Sequence, residues 1–422
     1  MTPRAGLAAA LVAGLLPWSP PGPGPRDAVG QEAGARPDTV GTAGTVDTVG
    51  VVVASGLDST VVYADAEARL LDPGAEPGSR LVGRASRYRA WTLRAREGDV
   101  SASGPGLERP RRFDSLTVAP RDSGGSVFLE GRPYRGRATL YPVEGRGLVV
   151  RSDVPLEPYV AAVVSAELGP AGRDEEQAVK ALAVAVRTFA VRFRGRRDSL
   201  RADLLATGAD QVYRGRLAER PRVTRWVRAT AGELLLHGGS PVRAYYHSAC
   251  GGRTAPPGDL WERADAAYLR SVADTAPDGR DWCRIAPLHR WDRRWSAEQF
   301  GAALAADSAF ALTALAARRR SPTGRVLALE AVLGSGADAV TVTVERDALL
   351  SLFGPGEPRL PSTRFEVVRS PPEADSVVVR GRGSGHGVGL CQWGAIGRAR
   401  AGRGYREILE AYYPGAEVVS DL

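Results

Sequence analysis

The stretch "LEPYVAAVVSAELGPAGRDEEQAVKALAVAVRTFAV", Leu156 to Val191, decides how the rest of the chain is read. Tyr159, Val160, Val163, Val164 and Leu168 fall on one stripe of a helix, and Gly169 and Pro170 bring that helix to a stop. A second helix opens on Asp174, Glu175 and Glu176 and ends among arginines, so both ends complement a helix dipole. Its buried face is Ala178, Leu182, Ala185, Val186 and Phe189.

Outward from this helical block the pattern is short strands. Upstream, from Thr48, come "VGVVVASG", "STVVYA", "ARLLD" and "RYRAWTLRAR", separated by turn residues. Ser103 to Ser115 is rich in Gly, Pro, Arg and Ser and reads as a surface loop; Ser126 to Ser152 reads as a meander. Downstream, 231–255 reads as strand and loop, 296–320 as helix, 325–346 as strands, and "YREILEAYYPGAEV" as a closing helix. Sheets with helices outside regular alternation predict an α+β fold, and no internal repeat is visible. The expected division is a signal peptide at 1–20, a disordered linker at 21–47, a β-rich part at 48–125 and a core domain at 126–422. The first boundary follows from Arg4 and the apolar run Ala5 to Trp18, too short to span a bilayer. The second follows from a Pro, Gly, Ala, Asp and Thr composition without period. The reading is an exported protein of the periplasm or cell wall, with no transmembrane segment once the signal is removed.

With 422 residues, 43% of them apolar, the chain has enough material for a sizeable core. A net charge of +8 and a pI near 9.7 point to anionic partners: nucleic acid, a membrane surface or a wall polymer. Nearly all of the positive charge is arginine, as compositional bias would give, so it says little about a polyanion. Lys180 is the only lysine, which marks it for a role that arginine does not fill.

Three constellations bear chemistry. In "GRGSGHGVGLCQWGA", Gly381 to Ala395, six of fifteen residues are glycine, around His386, with Ser384, Gln392 and Trp393 beside it. It fits neither a dinucleotide fingerprint nor a P-loop; bare backbone at every second position predicts close approach by another group or an extended ligand. "AYYHSACGGRT", Ala244 to Thr254, places His247 beside Ser248; neighbours on a strand face opposite ways, so they form no catalytic dyad. Cys250 as a nucleophile with His386 as its base competes with a disulfide among the three cysteines. Glu167 follows an apolar helical stripe and precedes Gly-Pro. Desolvation and the negative end of the helix dipole both raise its pKa, as a general acid near neutral pH requires.

Four motifs in order, the helical block, "DQVYRG", "AYYHSACGGRT" and "GRGSGHGVGLCQWGAIGRARAG", resemble the stage II sporulation protein D (SpoIID)/LytB amidase-enhancer family from about Thr48 to Leu422. The resemblance implies a SpoIID-like domain with a groove for peptidoglycan glycan strands. It places the catalytic acid of a V-x-x-E-[ML]-P motif on Glu167, although here Gly169 precedes Pro170. It matches a supporting Lys and Arg to Lys180 and Arg187. It implies sugar-contacting or supporting roles for Gln211, Tyr213, His247, Ser248, Thr254, His386 and Gln392. On this reading the glycines let a glycan strand lie against the backbone. Some members of the resembled family hold zinc just before the Q-V-Y motif, where this chain has Leu205, Ala209 and Asp210, so that site is expected to be absent. Cys250 and Cys283 are expected to form a disulfide, with Cys391 a small packed thiol. The alternative is a metal site of Cys250, Cys283 and Cys391 with His247 or His386. No cofactor is expected.

The implied reaction is non-hydrolytic cleavage between N-acetylmuramic acid and N-acetylglucosamine. Glycosidases use two carboxylates, whereas a lytic transglycosylase manages with one because the sugar's own 6-hydroxyl attacks. Lys180 and Arg187, if close, would lower the pKa of Glu167. The competing reading is a non-catalytic wall-binding enhancer of an N-acetylmuramoyl-L-alanine amidase. Nucleic-acid binding is the weakest reading, since no recognisable module is present.

Overall fold

The computed structural model describes residues 48–420 apart from 123, 170, 262–265, 305–310 and 355–357. The expected signal peptide and linker lie outside the described residues. The architecture is α+β. Two β-sheets, built before residue 156 apart from one edge strand, pack against a helical layer, and the last helices return to that same layer.

The first sheet has seven strands in the order Leu204–Leu205, Thr48–Leu57, Gly147–Pro155, Arg137–Val143, Leu116–Pro120, Ala68–Leu71 and Leu81–Ala85. The second has six, running from Arg132–Arg135 to Arg111–Phe113. That last strand pairs with Val100–Ala102, so the segment expected to be a surface loop contributes a sheet edge. Thr48–Leu57 alternates buried valines with half-buried residues at its start, the period-2 pattern of a strand with one covered face.

Strand Gly147–Pro155 runs straight into helix α1, Leu156–Leu168. Tyr159, Val160, Val163 and Val164 are fully buried, each contributing about 1.5–3 kcal/mol by removal from water. Ala161, Ala162 and Ser165 are buried too, so α1 is enclosed on more faces than one apolar stripe implies. Helix α2, Glu176–Arg192, is buried over Ala178, Val179 and Ala181–Ala190, and its alanines let neighbouring elements approach closely. Around it lie α1, the short helix α3, Pro221–Arg228, and two late helices introduced below.

Residues 291–379 contain a second hydrophobic core. Its ladder pairs Arg290–Ser296 with Ser376–Arg382, antiparallel from Arg290↔Arg382 to Ser296↔Ser376. Trp295 stacks on Phe353 with ring centroids 4.7 Å apart, and Phe300 meets both edge-on. The expected helix over 296–320 is corrected here. Among the described residues of this segment, Ala297–Leu304 is helical (α4) and Leu312–Arg320 is a strand paired with Val326–Leu333. Irregularities at Leu312/Ala314 and Ala317/Arg319 break the period of two, which left an alanine-rich run that reads as helix. The chain then forms α5, Gln392–Arg400, and α6, Tyr405–Tyr412. The closing helix therefore stops at Tyr412, and Glu417–Val419 instead pairs with Leu234–Leu236. Among the described residues no helix is long and apolar enough to cross a membrane.

Candidate functional site

Glu167 sits in the last turn of α1, which Gly169 ends at φ 68°. Two segments far away in sequence converge on its half-buried carboxylate. Oε1 accepts the backbone N–H of Val212 at 3.3 Å, and Oε2 accepts the side-chain amide of Gln392 at 3.3 Å. Val212 lies in the D-Q-V-Y segment, and Gln392 opens α5 directly after the glycine-rich stretch, so three of the four motifs meet at one carboxyl group. Burial raises the pKa of Glu167; the hydrogen bonds from Val212 and Gln392 and the charge of Arg214 oppose the rise. Lys180 and Arg187 are not among the groups acting on it. Gln392→Leu removes a donor that favours the anion while keeping a buried side chain of similar size. The pKa of Glu167 is expected to move further up in this variant, which a pH titration of any Glu167-dependent signal would register.

The segment bearing Gln211 to Tyr213 is positioned by a buried ion cluster. The Asp210 side chain is fully buried, accepts a bidentate pair from Arg197 at 2.8 and 2.9 Å, and lies 3.3 Å from Arg196. It also accepts the N–H of Leu205 at 2.8 Å. Leu205 and Ala209 offer no ligand and the Asp210 carboxylate is taken up by arginine, so these positions do not fit a zinc ion. Gln211 is buried, accepts from the Tyr159 hydroxyl at 2.9 Å and donates to Val186 O at 3.4 Å. Tyr213 packs between Tyr134 and Tyr159, at centroid distances of 5.9 and 5.2 Å. Both hold α1, α2 and the sheet together beside Glu167.

His247 and His386 form a pair with rings 5.5 Å apart, flanked by Trp261, which lies 5.3 Å from His386. His386 Nε2 donates to Tyr246 O at 2.8 Å, and its Nδ1 accepts from Val388 N–H at 3.1 Å. Both ring nitrogens are thereby committed to backbone, and burial pushes the pKa down to about 4, so the ring is neutral at pH 7. His386 therefore shapes the loop and is held away from base chemistry with Cys250. His247 Nδ1 donates to Val388 O at 3.1 Å, while its buried Nε2 has no hydrogen-bond partner among the described residues. Burial and the neighbouring His386 and Arg325 depress its pKa well below the usual histidine range.

The remaining expected site residues make contacts of their own. Lys180 pairs with Glu176 one turn back at 2.6 Å. Arg187 is buried, gripping Glu157 at 2.6 and 2.8 Å and donating to Glu233 O at 3.1 Å. Ser248 enters through its carbonyl, which accepts the N–H of Trp393 at 3.0 Å. The buried Thr254 hydroxyl accepts Val272 N–H at 2.7 Å and fixes the loop after Gly252. A hollow of about 480 Å³ beside Ala171 and Glu219–Val223 is lined by none of the expected site residues.

Of the two expected reasons for the glycines, the structure shows close approach by other groups of the chain. A Cβ on Gly381 would collide with the Trp291 ring, and one on Gly387, at φ 85°, would collide with the Arg325 guanidinium. The close approach at these positions is made by the chain's own buried groups. The disulfide is also corrected: Cys250, Cys283 and Cys391 are free, and the Cys250 and Cys283 sulfurs are 3.6 Å apart against about 2.05 Å for a bond. Three neighbours went unseen in the sequence: Arg214, Asp274 and His289. Arg214 was adjacent to a recognised motif, whereas "VADTAPDG" around Asp274 carries no signal of its own.

Residues 144–237 match the family described as Stage II sporulation protein, and residues 280–389 match a domain of unknown function. The chain is 30% identical over 295 residues to an uncharacterized protein of Brachyspira hyodysenteriae, covering 69% of this chain and 73% of that protein. It is 26% identical over 283 residues to the stage II sporulation protein D of Bacillus subtilis, covering 63% and 75%. It is 26% identical over 348 residues to a B. subtilis protein named amidase enhancer, covering 73% of this chain and 47% of that one.

Proposed function

Since the chain belongs to the stage II sporulation protein D and amidase-enhancer family, we propose that it acts on the bacterial cell wall as a lytic transglycosylase of peptidoglycan glycan strands, working outside the cytoplasm. The observation that carries this reading is the Glu167 carboxyl, held half-buried between Val212 N–H and the Gln392 amide. Its raised pKa keeps a proton available for the glycosidic oxygen as the bond to N-acetylglucosamine breaks. The two N–H donors then stabilise the carboxylate left behind, which takes the proton of the muramic acid 6-hydroxyl as that oxygen closes on C1. One residue thus gives a proton and takes one back.

The name of the amidase-enhancer relative favours a second reading, in which the same surface binds glycan and promotes a separate amidase. Mass spectrometry of peptide-stripped glycan strands after incubation with the protein separates the two. Anhydro-muramyl ends are expected for a transglycosylase and reducing ends for a hydrolase. Intact strands that nevertheless co-sediment with the protein would overturn the enzymatic reading in favour of the enhancer.

A further inference from the structure

We propose that Cys250, Cys283, Cys391 and Asp274 form a tetrahedral site for a thiophilic divalent cation, zinc being the best fit. This inference is independent of what Glu167 does. The four side chains are buried, and their ligand atoms all lie within 4.8 Å of one another. The Cys250–Cys283 separation of 3.6 Å is far too long for a disulfide, but close to the edge of about 3.7 Å of a tetrahedron with Zn–S near 2.3 Å. Cys250 Sγ to Asp274 Oδ2, at 3.2 Å, makes a second, shorter edge, as a smaller oxygen ligand would. The fourth ligand is therefore Asp274, whose carboxylate lies within that distance of all three sulfurs, whereas neither His247 nor His386 belongs to the set.

The surroundings are those of a thiolate centre. Cys391 Sγ accepts two backbone N–H groups, from Cys250 and Gly394, each at 3.3 Å. His289 hydrogen-bonds the Cys283 sulfur and is itself oriented by Asp281 at 2.8 Å. The other oxygen of Asp274 accepts from Tyr412 OH at 2.7 Å and faces Arg398 at 3.4 Å. Fixing ligands from behind in this way is how metal sites hold their geometry. Three thiolates and a carboxylate around a dication leave two negative charges. Arg398 offsets one, and the fully buried Arg325, whose Nε and Nη2 have no hydrogen-bond partner among the described residues, lies where its charge acts on Cys250. On binding, each thiol that ligates releases its proton to solvent.

The ion would join three segments 141 residues apart at their extremes: the His247 loop, the entry to the second core, and the residue preceding Gln392. The test uses the full chain purified from zinc-supplemented medium without chelator. About one zinc per chain is expected by elemental mass spectrometry. Exchange into cobalt(II) is expected to give thiolate-to-cobalt charge-transfer bands and intense tetrahedral visible bands, which Cys283→Ser weakens. A metal-free protein carrying a Cys250–Cys283 disulfide in non-reducing peptide mapping, or cobalt bound without charge-transfer bands, would overturn the proposal. If Cys283→Ser does not fold, the wild-type metal content and cobalt spectrum decide alone.

Discussion

Glu167→Gln is expected to slow glycan-strand cleavage by about 10²- to 10⁴-fold, the range a positioned general acid contributes. The amide keeps the size of the side chain but carries no transferable proton, and its NH₂ faces one of the two donors that the carboxylate satisfied. Stability should move the other way. Burial raises the folded-state pKa of Glu167, so the ionised group penalises folding at pH values above the unfolded carboxylate range and not below it. The variant escapes that penalty, and its melting temperature at pH 7 should equal or exceed the wild type's, with the difference vanishing towards pH 4. A variant that cleaves at the wild-type rate removes Glu167 from the chemistry. One that is inactive and markedly less stable makes it a structural residue.

The second large effect is expected at Arg187→Ala, a loss of about 3 kcal/mol of folding stability. The guanidinium is 1% exposed and joins α1 to α2 through Glu157, with a third bond to Glu233 O. Its removal leaves a carbonyl unpaired in the interior and a cavity among alanines that cannot close over it. Chemical denaturation would register the loss as a lowered midpoint with an unchanged slope. In the same variant, the pH dependence of cleavage should match the wild type, because the Arg187 guanidinium is committed to Glu157 and Glu233 O. A shifted pH profile without loss of stability would instead return Arg187 to the site.

What the sequence made legible follows from range. Helices α1 and α2 announce themselves through a period of 3.6, with Gly169 and Pro170 stopping the first and charged ends marking the second, all local signals. Glu167, Val212 and Gln392 stood in motifs, so their convergence was anticipated in kind although no spacing along the chain brings them together. The strand Leu312–Arg320 was illegible because its pairing with Val326–Leu333 overrides an alanine-rich composition. Asp274 and His289 were equally hidden, since side chains gathered from separate segments of the chain follow no spacing rule. The glycines were visible, but the groups that need the room lie elsewhere in the chain, the Trp291 ring on the Arg290–Ser296 strand and the Arg325 guanidinium just before Val326–Leu333. Sequence shows that space is required without showing who occupies it.

The ladder between Arg290–Ser296 and Ser376–Arg382 carries a consequence for the order of assembly. Without it, bringing Gln392 to Glu167 means closing a loop that contains the whole second core. Once that core has formed, its first and last strands lie side by side, and the excursion shrinks to a short bridge for the residues on either side. The entropy of the long closure is then met within a unit that has its own hydrophobic interior. The second core should thus fold before the Glu167 site is complete. Residues far from any chemistry would then set how fast a newly made chain becomes competent, while leaving the finished site untouched.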